Sequence, residues 1–158
     1  MKVYLVQHAE AMSEEQDPDR SLTDVGRQHT QWTAAVAAEM GVEVDQIRHS
    51  GKTRARQTAE ILGEALGPSE GVVEVPGLAP LDDVVGVGDE LEARPGPLML
   101  VGHLPFMERL AGHLLAGDAS KPVVDFQNAG IVCLQKTDER WQALWIVTPE
   151  VAAIMVEA

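Results

Sequence analysis

Two histidines and one arginine hold the best-placed chemical groups in this chain: His8, Arg54 and His103. His8 follows VYLV and Gln7, and His103 follows LMLV and Gly102. Arg54 falls in the first turn of a helical stretch that begins just after His49 and Ser50. A neutral imidazole can attack through one ring nitrogen while a backbone acceptor holds the other. A guanidinium presents fixed donors to oxygen atoms on phosphorus. A second histidine, when protonated, adds charge and a hydrogen bond to the developing transition state. Together the three suit phosphoryl transfer. Taken singly, each also reads as a capping or surface residue, so the reading depends on their meeting in space.

The elements that must bring them together are legible in outline. Val3 to Val6 is a continuous apolar, β-prone run, as expected for a strand covered on both faces. Glu10 to Arg20 is polar and contains Pro18, which predicts a loop. A helix capped by Ser21 or Thr23 follows, with Val25, Trp32, Val36 and Met40 expected on its inner face and Gly41 at its end. A short strand over Gln46 to His49 precedes a helix from about Lys52 to Leu66, with Ala55, Ala59, Ile61, Leu62 and Leu66 as apolar positions and Gly67–Pro68 as its stop. Val72 to Val75 reads as extended, PGLAPLDD as a turn, and Asp83 to Leu91 as a helix weakened by two glycines.

The run LMLV predicts a strand, and Pro105 suits the first turn of a helix reaching Leu115, with Met107, Leu110, Ala111 and Leu114 inward. Gly130 to Gln135 and Trp141 to Val147 read as two strands, joined into a hairpin by the short polar segment Thr137 to Arg140. This order predicts one α/β domain over residues 1–158, in three layers, with a largely parallel central sheet flanked by helices. In such a sheet the carboxyl ends of parallel strands share an edge where ligand crevices form, so His8, Arg54 and His103 can meet there. The amino end of the helix at Pro105 would favour an anion nearby.

Composition narrows the classes. The chain has 158 residues, 45% of them apolar, enough for one sizeable core. Acidic residues number 25 against 12 Lys and Arg, a formal net charge of -13, which repels nucleic acid and anionic membranes. An acidic protein binds phosphate only where a few cations converge, so each arginine near a site counts. No apolar stretch approaches the roughly 20 residues needed to span a bilayer, and the apolar run after Lys2 is too short for a signal peptide. A cytoplasmic location is the default expectation. The lone Cys133, in GIVCL, reads as a quiet core thiol. His29, His49 and His113 read as surface or packing residues, and no HExxH or clustered His/Asp pattern predicts a metal. The chain has neither GxxxxGK[ST] nor a strand-linked GxGxxG, so no nucleotide or nicotinamide cofactor is expected.

The pieces VYLVQHAEA, RSLTDVG, SGKTRARQTAEIL and LVGHLPFMERLAG, in that order, resemble the histidine phosphatase superfamily, which includes the phosphoglycerate mutases. Within it they are most similar to the short bacterial phosphohistidine phosphatases, and their register runs from Met1 to about Gly117. The resemblance implies a phosphoglycerate mutase-like fold, a nucleophile at His8, phosphate-binding roles for Arg54 and His103, and metal-independent transfer through a phosphohistidine intermediate. The implied substrate is a phosphohistidine-bearing protein or peptide.

The family's usual Arg-His-Gly opening is Gln7-His8-Ala9 here. Gln7 exchanges a permanent charge for neutral amide donors in the phosphate-binding set, and Ala9 adds a side chain where close backbone approach matters. Arg20, Lys2 or Lys52 are cations that could compensate. Two other functions stay open at this stage: a phosphate-recognition module without turnover, motivated by Gln7, and a small-molecule phosphomonoesterase. The second would need an acid, for which Glu10, Asp82 and Asp83 are the local choices. An imidazole leaving group can arrive already protonated and needs no such acid.

Overall fold

The computed structural model describes residues 1–157. The apolar run near the start becomes β1 (Lys2–Gln7), followed by α1 (Asp24–Glu39), β2 (Gln46–His49), α2 (Thr53–Leu66) and β3 (Val72–Glu74). Next come α3 (Val84–Ala93), β4 (Leu98–Gly102), α4 (Phe106–Ala116), the strands β5 (Ile131–Thr137) and β6 (Arg140–Val147), and α5 (Pro149–Glu157). One six-stranded sheet has the order β3-β2-β4-β1-β5-β6. The pairs β2–β3, β2–β4 and β1–β4 are parallel, while β5 runs antiparallel to both β1 and β6. The result is a mixed, mostly parallel sheet flanked by helices, the α/β class that the order of elements predicts.

The strands in the middle of the sheet are apolar throughout because both faces are covered. Val3, Leu5, Leu98 and Leu100 pack with Phe106 and Leu110 of α4 on one side. Tyr4, Val6, Met99 and Val101 face Ala37, Ala59 and Leu62 from α1 and α2 on the other. Alternation along each strand sends neighbours into opposite layers. Cys133 lies in the second layer, and burial pushes its thiol pKa up, as befits a core residue.

The inner face of α1 differs from the expectation. Val25 is 51% exposed and Met40 45% exposed, whereas Gly26, Thr30, Thr33, Ala34, Val36 and Ala37 are buried. The reason is close approach: α1 packs on both α2 and α5, and small residues let helix backbones come near. Gly26 is buried for a separate reason: a Cβ there would stand 2.2 Å from the carbonyl oxygen of Glu10, in the loop after β1. Thr23, one of the two caps considered, accepts from the Gly26 amide. Ile61 and Leu66 are only partly buried, while Ala55, Ala59 and Leu62 are fully inside.

The helix α5 was not expected from the sequence. Its signals are local and present: Thr148 accepts from the amide of Val151, and Pro149 occupies the first helical position. Ala152 packs with Val36 and Val147, which anchors α5 to α1 and β6.

Candidate active site

The sheet order explains the convergence. β2, β4 and β1 are adjacent and parallel, so their carboxyl ends open onto one edge. Gln7 pairs with Gly102 and His49 with Val101, which puts His8, Ser50 and His103 one step beyond three neighbouring strand ends. The amide of His8 extends the ladder by donating to the Gly102 carbonyl at 2.9 Å. The His8 and His103 rings then lie with centroids 5.1 Å apart, tilted by 56°. Gly102 lies close under α4 here: a Cβ there would stand 2.8 Å from the Met107 methyl, so that side chain would have to shift.

Hydrogen bonding settles which His8 nitrogen is free. Nδ1 lies 2.7 Å from the carbonyl oxygen of Ala9, which can only accept. Nδ1 therefore carries the proton and donates, leaving the lone pair on Nε2. Burial, followed by the charges of Arg54 and Arg20, lowers the His8 pKa to about 4, so the ring is neutral at neutral pH. Asn128 donates to the His8 carbonyl at 2.8 Å, and the Ala129 amide donates to Gln7. The Ala9 amide donates to Thr58 Oγ1, which in turn donates to the Arg54 carbonyl. Thr58 thus ties the segment after β1 to the first turn of α2, where Arg54 sits.

His103 is held by Ser50, whose Oγ lies 2.6 Å from Nε2. Burial first, then His8 and the charges of Arg54, Lys52 and Arg20, lower its pKa to about 3. His103 is therefore neutral in this arrangement, because burial and the neighbouring cations oppose another charge. Arg54 itself is partly desolvated, lies in the fields of Arg20 and Glu14, and has its pKa lowered by burial first. Among the described residues, the buried side-chain atoms without a hydrogen-bond partner are Gln7 Oε1, Arg54 Nε, His103 Nδ1 and Arg94 Nε. Three of these four belong to residues singled out from the sequence. Buried polar atoms are rarely left unpaired, and such a cluster marks a place that a polar ligand would complete.

The other sequence-level candidates fall differently. Arg20 acts on both histidines and Lys52 on His103, whereas Lys2 begins the strand that ends at Gln7, about 20 Å from His8 at ~3.3 Å per residue. It compensates nothing there. Asp82 accepts from the Ala79 amide in a turn, and Asp83 caps α3 through the Val85 amide. Glu10 accepts from the Thr23 hydroxyl at 2.6 Å. His49 accepts from the Gly51 amide, and His29 stacks on Trp32. Ser50, Thr58 and Asn128 were not expected as site residues; each binds a partner 49 to 120 positions away, beyond any local pattern.

A groove of about 620 Å³ is not centred on the histidines. Its walls include Glu10, His29, Asp125, Asn128 and Glu150, and it meets the site at Glu10 and Asn128. The histidine pair is the better marker of chemistry, because cavity size alone carries no reacting group. Among the described residues no cluster of His, Cys, Asp and Glu could hold a metal ion, and no helix is long and apolar enough to cross a membrane.

The two depressed histidines predict acid sensitivity. A histidine with a folded pKa below its unfolded value of about 6.5 takes up a proton on unfolding, so its stabilising effect is present above that value and is lost as pH falls toward the folded pKa. The melting temperature is expected to decline between about pH 6.5 and 4, with His8, His103 and the similarly buried His49 contributing. Melts of His103→Gln should show a shallower decline than wild type; parallel curves would remove His103 from the account.

A family model described as histidine phosphatase superfamily (branch 1) matches residues 3–82. An uncharacterized protein of Picosynechococcus sp. is 34% identical, the match covering 90% of each chain. The phosphohistidine phosphatase SixA of Escherichia coli is 28% identical over 75% of this chain and 76% of its own. A solved structure of the protein histidine phosphatase SixA complexed with tungstate superposes with a TM-score of 0.83 at 26% identity, covering 94% of this chain and 97% of that one. Shared sequence over half the chain, shared topology and a histidine pair at the shared sheet edge lead to one conclusion: this chain belongs to the histidine phosphatase superfamily.

Proposed function

We propose that the protein is a metal-independent phosphohistidine phosphatase acting on a protein or peptide through a phosphoryl group carried on His8. The carrying observation is the paired, neutral imidazoles 5.1 Å apart, with His8 Nε2 free and Arg54 charged beside them. His8 Nε2 attacks phosphorus while the bond from phosphorus to the substrate imidazole nitrogen breaks, its electron pair leaving with that nitrogen. A substrate ring already protonated on its other nitrogen departs as neutral imidazole and needs no acid. Water then attacks the phosphoryl group on His8, the new phosphorus–nitrogen bond breaks, and phosphate leaves as the water proton passes to solvent. Arg54, His103 and Gln7 are the groups assigned to the phosphoryl oxygens.

Membership of the superfamily supports phosphatase chemistry, and the SixA relatives named above support the phosphohistidine substrate. Tungstate, bound by the solved relative, is a tetrahedral oxyanion like phosphate. The turn and cap duties of Asp82 and Asp83 also favour a substrate that needs no carboxylic acid.

Gln7, a neutral side chain beside the nucleophile where the family usually carries arginine, supports a second reading, phosphate recognition without turnover. Phosphate release from a phosphohistidine peptide and from an alkyl phosphate, each measured with a chelator present, separates the readings. Release from the peptide is expected, and Gln7→Arg should raise it about tenfold, the worth of one charge-assisted hydrogen bond. Binding without release would establish the recognition module, and faster release from the alkyl phosphate would establish a small-molecule phosphomonoesterase.

A further inference from the structure

We propose that Ser50 is a positioning residue: its hydroxyl donates to His103 Nε2, fixing the tautomer that offers Nδ1–H to a phosphoryl oxygen. The phosphoryl part rests on the function proposed above; the tautomer does not. The two directions of the 2.6 Å contact between Ser50 Oγ and His103 Nε2 leave different groups unpaired. Ser50 Oγ also accepts from the Lys52 amide, at 3.4 Å, and its remaining need is an acceptor for its own proton. Among the described residues the only acceptor it meets is His103 Nε2. If Ser50 donates, its proton is paired with the ring and the buried Nδ1 carries the hydrogen. If Nε2–H donates instead, the buried Nδ1 is a bare lone pair and the part-exposed serine proton turns to solvent. Either way Nδ1 lacks a protein partner, and only the first arrangement uses the serine proton within the site.

The first arrangement is also the one that fits an oxyanion. A bare Nδ1 lone pair would repel a phosphoryl oxygen, whereas Nδ1–H donates to it. Arg54, Lys52, Arg20 and His8 all act against a proton on both nitrogens, and burial adds to them. The ring must therefore supply its donor while neutral, and a neutral ring has only one. That makes the choice of nitrogen decisive.

The test is nitrogen NMR of the full-length protein labelled in its histidine rings, at neutral pH, with the His103 signals assigned from His103→Gln. Wild type is expected to show His103 protonated on Nδ1 and bare on Nε2. Ser50→Ala should move it toward the Nε2–H form, while Ser50→Thr, which keeps a hydroxyl, should restore Nδ1–H. With a phosphohistidine peptide, Ser50→Ala should lower kcat about tenfold with little change in KM, and Ser50→Thr should recover most of it. A wild-type ring protonated on Nε2, or an Nδ1–H tautomer that persists unchanged in Ser50→Ala, overturns the proposal. The wild-type spectrum decides the tautomer even if Ser50→Ala does not fold. Should the spectra behave as expected in a protein that releases no phosphate, the tautomer assignment holds and only the phosphatase reading fails.

Discussion

His8→Ala is expected to fold and to lose phosphohistidine turnover by about 10⁴-fold or more, as when a covalent nucleophile is removed. The structural cost should be small. The His8 amide keeps its bond to Gly102, and the ring's own hydrogen bond runs only to the adjacent Ala9 carbonyl. The chemical cost is large because His103 cannot take over: its Nε2 is occupied by Ser50 and Arg54 offers no lone pair. Rapid-quench labelling with a phosphorus-labelled phosphohistidine peptide, followed by peptide mapping, should place the label on His8 in wild type. His8→Ala should show none. Normal turnover without label on His8, or full activity in His8→Ala, would sink the covalent mechanism.

Arg54→Ala should lower kcat/KM by about 10²–10³-fold, the value of two charge-assisted hydrogen bonds to phosphoryl oxygens. The same change should also move the pH dependence. Arg54 helps to hold the pKa values of His8 and His103 down, after burial. Removing its charge raises both, so the acid limb of the rate profile should shift to higher pH in Arg54→Ala. Arg54→Lys should restore part of this pH effect, because a lysine supplies charge, but little of the rate, because it lacks the planar fork. A profile unmoved in Arg54→Ala would show that the guanidinium does not act on the pair. An unchanged kcat/KM would remove it from the phosphate-binding set.

Much of this was readable from the chain alone, for a reason that can be stated residue by residue. Elements whose signals are local came through with nearly their observed limits. Gln46–His49 is the same in both, the helix over Thr53–Leu66 stops at Gly67, and the Asp83 cap opens α3. The apolar runs ending at Val6 and Val101 both become covered strands, and each hands a histidine to the loop beyond it. In these cases hydrophobic period, cap and turn chemistry all lie within a few residues of one another. The choice of His8, Arg54 and His103 as the residues to watch needed only these strand and helix ends and the motifs around them.

What the tertiary structure decided is everything that depends on distant partners. Val25 and Met40 have the right spacing for an inner face, but α2 and α5 come close enough to prefer Ala34, Val36 and Ala37 there. Gly26 is needed for its approach to the Glu10 carbonyl, a contact no helical period reveals. The free nitrogen of His8 was open until its Nδ1 met the Ala9 carbonyl, and the neutral state of His103 depended on burial beside His8, Arg20 and the Lys52–Arg54 turn. Ser50, 53 positions from His103 in sequence, and Asn128, 120 positions from His8, meet them only because the sheet aligns its strand ends. Local sequence determines which segments become strands and helices through backbone sterics and side-chain period. Which polar atoms are then desolvated, paired or left without a partner is set by packing between segments.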